Sequence, residues 1–225
     1  MPVTEFAHLH LSPSIPSSPL PATLLATLRE AMVLQSAWHA AHFPHLPSSA
    51  AERAALWFAQ VEDPSWLLTT ARWETVPAHL EWVRSEDNVR IMSDAVSSGV
   101  IEGGDTVLLH VEGDIFENGG ALMQSEVISM GRMFVKKGER GTFEAKFEEV
   151  KGILEGYAGT QLVRYGWRED VEEGAEEDEL VLVCGWESVE KHMEFAETPE
   201  FARYSEIGEL VARVELRHYK PMSLE

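Results

Sequence analysis

Two histidines set two residues apart near the start of the chain, His8 and His10, are the side chains best suited to do chemistry. In an extended segment alternate side chains share a face, so Phe6, His8 and His10 point one way while Ala7, Leu9 and Leu11 point the other. Two neutral imidazoles on one wall of a pocket can hydrogen-bond an acidic or phenolic molecule, or take a proton from it near neutral pH. His8 and His10 are therefore the expected catalytic pair, set against the plainer reading that they are structural histidines. Phe6, Trp57, Trp73, His110 and Arg164 are the expected substrate-binding residues. The aligned strand later in the chain, residues 127–132, has no such pair, so one half is expected to carry the pocket and the other to scaffold it.

Other chemistries leave little trace. His39, His42 and His45 have loose zinc-like spacing, but no cysteine or fourth ligand lies near them, and a surface loop is the expectation. There is no glycine-rich phosphate loop, no G-x-S-x-G elbow and no HExxH. Neither a metal nor a cofactor is expected. The single cysteine, Cys184, sits in an apolar run and reads as a buried, inert thiol.

The elements that must position these residues come in duplicate. Residues 73–82 (WETVPAHLEW) and 186–195 (WESVEKHMEF) align without a gap, sharing Trp, Glu, a small hydroxyl residue, Val, His, Glu and an aromatic at matching places. The segments before them also correspond, each a strand ending in Glu-Asp, a turn, a second strand and then a helix. An internal duplication of this kind decides the fold question before anything else. Because His79 and His192 recur, a structural role is expected for them, and Trp73 and Trp186 are expected to fill the core.

Around these copies the apolar spacing predicts a strand over residues 4–11, a Pro/Ser-rich break over 12–21, and a helix from 20 to about 40. A long helix over 76–97 and a strand over 105–112 follow. The second half reads as a strand over 126–136, then a helix over 142–157 that buries Phe143, Phe147, Val150, Leu154 and Tyr157. Strands over 162–170 and 179–186, a helix over 189–209 and a strand over 211–219 complete it. Each half is thus β-α-β-β-α-β, the ferredoxin-like order. The expected halves are residues 1–115 and 125–225, joined by a linker over 116–124. A four-stranded sheet with helices on one face leaves the other uncovered, and the second half is its natural partner. The fold class expected is α+β, two ferredoxin-like halves packed sheet to sheet as a pseudo-dimeric barrel.

The doubled W-E-[ST]-V-x-x-H-x-E-[WF] segment resembles the signature of the dimeric α/β-barrel superfamily, which includes antibiotic-biosynthesis monooxygenases, stress-responsive barrel proteins and some polyketide cyclases. The resemblance implies a cofactor-independent monooxygenase or cyclase acting on an aromatic or polyketide-like molecule in a barrel pocket. The alternative it carries is a non-catalytic stress-response or ligand-binding barrel. Haem-degrading members have an iron-binding His further along the second helix; here no His lies between His79 and His110 or between His192 and His218. The catalytic His of the cyclases is likewise replaced, by residues 198–201 in one copy and 85–88 in the other.

Composition is that of a globular protein, with 44% hydrophobic and 25% charged residues over 225. A net charge of −20 argues against nucleic acid and anionic membranes as partners. Part of the excess is the acidic run over residues 169–179, expected to be a solvated loop. No signal peptide or apolar run of membrane-spanning length is evident, and a cytoplasmic location is expected. The expected partner is a small hydrophobic or aromatic molecule, with the chain a monomer by virtue of its two halves, or a homodimer.

Overall fold

The computed structural model describes residues 1–102, 104, 106–117 and 120–224. Asp105, at the head of one expected strand, and residues 118 and 119 of the expected linker lie outside them. The chain divides into two compact units, residues 1–119 with 221–225, and residues 120–220.

In the first unit, β1 (Val3–His10), α1 (Ala22–His42), β2 (Leu56–Gln60), β3 (Trp66–Trp73), α2 (Val76–Val83), α3 (Glu86–Ser97) and β4 (Val107–Glu112) follow in the ferredoxin-like order. The strands pair antiparallel as β4-β1-β3-β2. Leu9, Trp57 and Leu67 on one sheet face bury against Leu24 and Leu28 of α1 and Ala95 of α3. On the other face Phe6 and Phe58 meet Phe116, with ring centroids 6.0 and 5.8 Å apart. The last residues return to this unit, where the Met222 N–H donates to the Trp57 carbonyl at 2.8 Å.

The second unit repeats the plan with β5 (Val127–Lys136), α4 (Arg140–Ala158), β6 (Val163–Trp167), β7 (Glu177–Trp186), α5 (Val189–Phe195), α6 (Phe201–Tyr204) and β8 (Arg213–Pro221). Its strand order is β8-β5-β7-β6, again antiparallel. Phe143, Phe147, Val150 and Leu154 of α4 form the buried stripe expected from their spacing. The fold class is therefore α+β, with two ferredoxin-like halves.

The sequence-based boundaries need correction in four places. The helix expected over 76–97 is broken at Ser85, whose hydroxyl accepts from the Asn88 N–H at 3.2 Å and so starts a new helix. The helix expected over 189–209 stops at Phe195, because Thr198 turns its hydroxyl onto the Phe195 carbonyl at 2.8 Å and Pro199 follows. The acidic run is not wholly a loop. Its last residues open β7, and Glu179 is buried, bonded by Arg132 Nε at 2.5 Å and Arg168 Nη1 at 3.2 Å. Two guanidinium groups hold that carboxylate where self-repulsion alone would expel it. His39 and His42 also leave the expected loop, closing α1, and His39 is buried with Nε2 3.2 Å from Glu74.

The helix-facing core is the main support of each unit. Phe147 is 2% exposed and meets Tyr165 edge-on at 4.8 Å. Phe147→Ala should cost about 3–5 kcal/mol, read as a lower urea midpoint for the second unit.

Candidate functional site

The repeated segment builds the same small machine in both units. Thr75 and Ser188 are helix N-caps, their hydroxyls accepting from Ala78 N–H and Lys191 N–H at 3.2 Å. That explains the small hydroxyl residue shared by the two copies. The cap fixes how the helix enters, and the histidine one turn later lands on the tryptophan that ends the preceding strand. His79 stacks on Trp73 at 4.5 Å and 24°, and His192 on Trp186 at 4.3 Å and 13°. Each histidine then turns Nδ1 to a histidine on the closing strand, His79 to His110 Nε2 at 2.7 Å and His192 to His218 Nε2 at 2.8 Å.

The copies diverge at one position on their first strands. Val3 pairs with Trp73 and Val127 with Trp186, so Glu5 and Ser129 are equivalent, lying opposite His110 and His218. A buried indole N–H needs an acceptor. Trp186 donates to Ser129 Oγ at 2.9 Å, whereas Trp73 donates to Glu5 Oε2. The same Glu5 oxygen lies 3.0 Å from His79 Nε2. Glu5, His79 and His110 are each no more than 3% exposed and form one hydrogen-bonded chain.

With Glu5 ionised, Oε2 accepts from the indole and from His79 Nε2–H; His79 Nδ1 then accepts from His110 Nε2–H. Burial pushes Glu5 up from the usual carboxylate range to about 7, opposed by the Trp73 hydrogen bond and by Arg53. Arg53 is itself buried, lies 4.3 Å over the Trp73 ring and is pushed down to about 10 by desolvation. A carboxyl poised near neutrality and held by fixed donors is suited to general-base work.

The chain opens on a cavity of about 200 Å³ between the sheet and its helices. Glu5 and His79 are two of its few polar linings, and Leu28, Met32, Trp57, Trp82 and Met92 supply much of the apolar wall. The second unit encloses a counterpart of about 300 Å³ bordered by Ser129, Trp186 and His192. Both halves thus carry a cavity, where the expectation is that one half carries the pocket and the other mainly scaffolds it.

The residues singled out in the sequence are dispersed. Trp57 lines the first cavity, and Trp73 and His110 stand directly behind it, bonded to Glu5 and His79. Phe6, His8 and His10 alternate with Glu5, Ala7 and Leu9, and so face away from it. His10 stacks on Trp66 at 4.4 Å and Phe6 packs on Phe116. Arg164 lies in the other unit, its Nη1 donating to the carbonyls of Val163 and Thr160 at 2.9 and 3.3 Å. The sequence reading passed over Glu5 and placed His79 in a purely structural role. The available signal was a lone acid on the Val3, Ala7, Leu9 face, aligned with Ser129, together with a histidine on both closing strands.

Residues 126–207 match the antibiotic biosynthesis monooxygenase family. No curated protein matches the sequence. Among solved structures, an anthrone oxidase-like protein superposes with a TM-score of 0.61 at 10% identity, covering 99% of this chain and 92% of its own. A structure described as a candidate chlorite dismutase gives 0.60 at 8% identity, covering 99% and 96%. A candidate monooxygenase from Lactobacillus acidophilus gives 0.55 at 10% identity, covering 98% and 93%. At these identities the likeness is one of fold, and it extends over both halves. No helix among the described residues is long and apolar enough to cross a membrane. The match to the antibiotic biosynthesis monooxygenase family thus lies within the second half, and the chain as a whole shares with these solved structures a fold of two ferredoxin-like halves in tandem.

Proposed function

We propose that the protein is a cofactor-independent monooxygenase for an aromatic or polyketide-like small molecule, and that the reaction takes place in the first unit's cavity. The observation that carries this reading is the buried Glu5–His79–His110 chain opening on a mostly apolar pocket in which Glu5 is the one carboxylate among the described lining residues. A substrate with an acidic C–H or phenolic O–H enters against Trp57 and the α1 side chains. Glu5 takes its proton. Both hydrogen bonds to Glu5 fall on Oε2, so Oε1 is the receiving atom.

The resulting carbanion or phenolate is electron-rich enough to reduce dioxygen itself. For an activated methylene, one oxygen atom replaces the two hydrogens as a carbonyl and the other leaves as water. All four electrons come from the substrate. The protein then has only to remove the proton, hold the anion and keep water out. His79, donating to Glu5, fixes the carboxylate, and His110, donating to His79 Nδ1, holds that ring in the tautomer that does so.

Anthrone is the first compound to test, since a structure of the same fold is described as anthrone oxidase-like. Turnover is followed by oxygen uptake and by ¹⁸O incorporation from labelled dioxygen. Glu5→Gln should lower kcat/KM by about 10²–10⁴-fold. The wild-type profile should rise with pH through about 7, where Glu5 loses its proton. Full activity in Glu5→Gln, with loss in His8→Ala or His10→Ala, would move the base to the opposite sheet face.

The same carboxyl has a signature in stability. The folded pKa of Glu5 lies above its ordinary value of 4.5, so between pH 4.5 and about 7 the native state holds a proton that the unfolded chain has released. Stability therefore falls as pH rises through that window and levels off above it, a difference on the order of 3 kcal/mol. Glu5→Gln should flatten this part of the curve, measured by urea denaturation at pH 5 and pH 8.

A further inference from the structure

The second unit keeps the frame of the first but lacks its base. Trp186, His192 and His218 superimpose in role on Trp73, His79 and His110, while Ser129 stands where the first unit has Glu5. Two positions on, Gly131 stands where the first unit has Ala7. Both changes remove atoms from the wall of the cavity, and the cavity is larger, about 300 against 200 Å³. Glycine at 131 is not demanded by the backbone. It lies mid-strand outside the left-handed region, and a Cβ there would meet only the Leu182 carbonyl oxygen and Leu216 Cδ1, both at 3.9 Å. A strand glycine without a backbone reason points to space kept for something else.

We infer that the second cavity is a separate binding site for a neutral aromatic molecule bearing a hydroxyl, whose oxygen sits on His192 Nε2 as the Glu5 carboxylate sits on His79 Nε2. In the first unit the protein's own carboxylate fills that position at 3.0 Å. In the second, among the described residues, no carboxylate approaches His192, and Ser129 Oγ is engaged by the Trp186 indole. A ligand hydroxyl can either accept from Nε2–H or donate to bare Nε2, so it fits either tautomer.

The electrostatics of the wall select for neutrality. Among the described residues, no Asp, Glu, Lys or Arg lines this cavity. His192 is pushed down to about 4 by burial and by His218, so it is uncharged at pH 7. Burial pushes the Cys184 thiol up to about 12 and raises the Tyr204 hydroxyl as well. An anion entering here would lose its water and gain no countercharge. The remaining wall, with Met133, Leu154, Phe195 and Phe201 beside the hydroxyl of Ser205, is mostly apolar and roomy enough for a bicyclic ring system. The site binds without deprotonating, so the two halves divide the tasks of reaction and retention.

The test is an NMR titration of the full chain that follows the His192 imidazole nitrogens at pH 7. The probe 2-naphthol should shift them saturably, and 2-methylnaphthalene, which lacks the hydroxyl, should bind about tenfold more weakly. The anion 2-naphthoate should leave them unmoved. Gly131→Ala, which adds one methyl at ordinary contact distance and should fold normally, is expected to weaken 2-naphthol binding by about tenfold. His192 signals that ignore 2-naphthol, or that respond equally to 2-naphthoate or 2-methylnaphthalene, would overturn the proposal. Neither result depends on turnover in the first cavity, because the readout is a resonance in the second.

Discussion

Each half of this protein depends on the satisfaction of one indole N–H. A tryptophan ends the third strand of each sheet and is almost entirely buried, Trp73 at 0% and Trp186 at 4% exposed. Its ring supplies a large apolar surface to the core, and its single donor must find an acceptor there or cost stability. The acceptor comes from the first strand, through the register that sets Val3 against Trp73 and Val127 against Trp186. Once the tryptophan is fixed, the capped helix that follows lays a histidine on its face, and a histidine on the closing strand completes the layer. Fold and site therefore rest on the same contact.

The choice of acceptor separates the two halves. A serine hydroxyl meets the need of Trp186 with a neutral group and adds no charge to the interior. A glutamate meets the need of Trp73 at the expense of burying a carboxylate, which its hydrogen bonds and the neighbouring Arg53 only partly offset. The destabilised charged form is what makes such a group a stronger base than an exposed carboxylate, and strain of this kind is characteristic of reactive sites rather than of scaffolds. Identical frames thus present a buried carboxyl to one cavity and a neutral hydroxyl to the other through a difference of a few atoms.

Much of the fold was legible in the sequence because duplication and amphipathic spacing are local properties. The Phe143, Phe147, Val150, Leu154 stripe could be read directly, and so could the alternation that puts Glu5, Ala7 and Leu9 on the face opposite His8 and His10. What was not legible was which face bounds a cavity. Strand parity fixes two faces without naming the one that bounds a cavity, and His8 and His10 lie on the face opposite the cavity described. Helix breaks at Ser85 and Thr198 were missed because apolar periodicity continues across them while the capping hydroxyls redirect the backbone. Glu179 shows the converse error, a charge read as solvated that long-range pairing with Arg132 and Arg168 draws inward.

Arg53, buried against the Trp73 ring, carries a consequence for how the two halves can change over time. Among the described residues its Nη2 reaches only the Arg72 carbonyl, at 3.4 Å, and the negative charges of Glu5 and Glu74 are what favour its protonated state. Loss of Glu5 alone would leave a buried cation short of a countercharge, so the first half resists single replacements at this point and can drift only by paired changes. The second half has no such coupling at Ser129, and its cavity can be reshaped one residue at a time. A duplicated chain of this design holds one half fixed by internal charge while the other remains free to acquire new ligands.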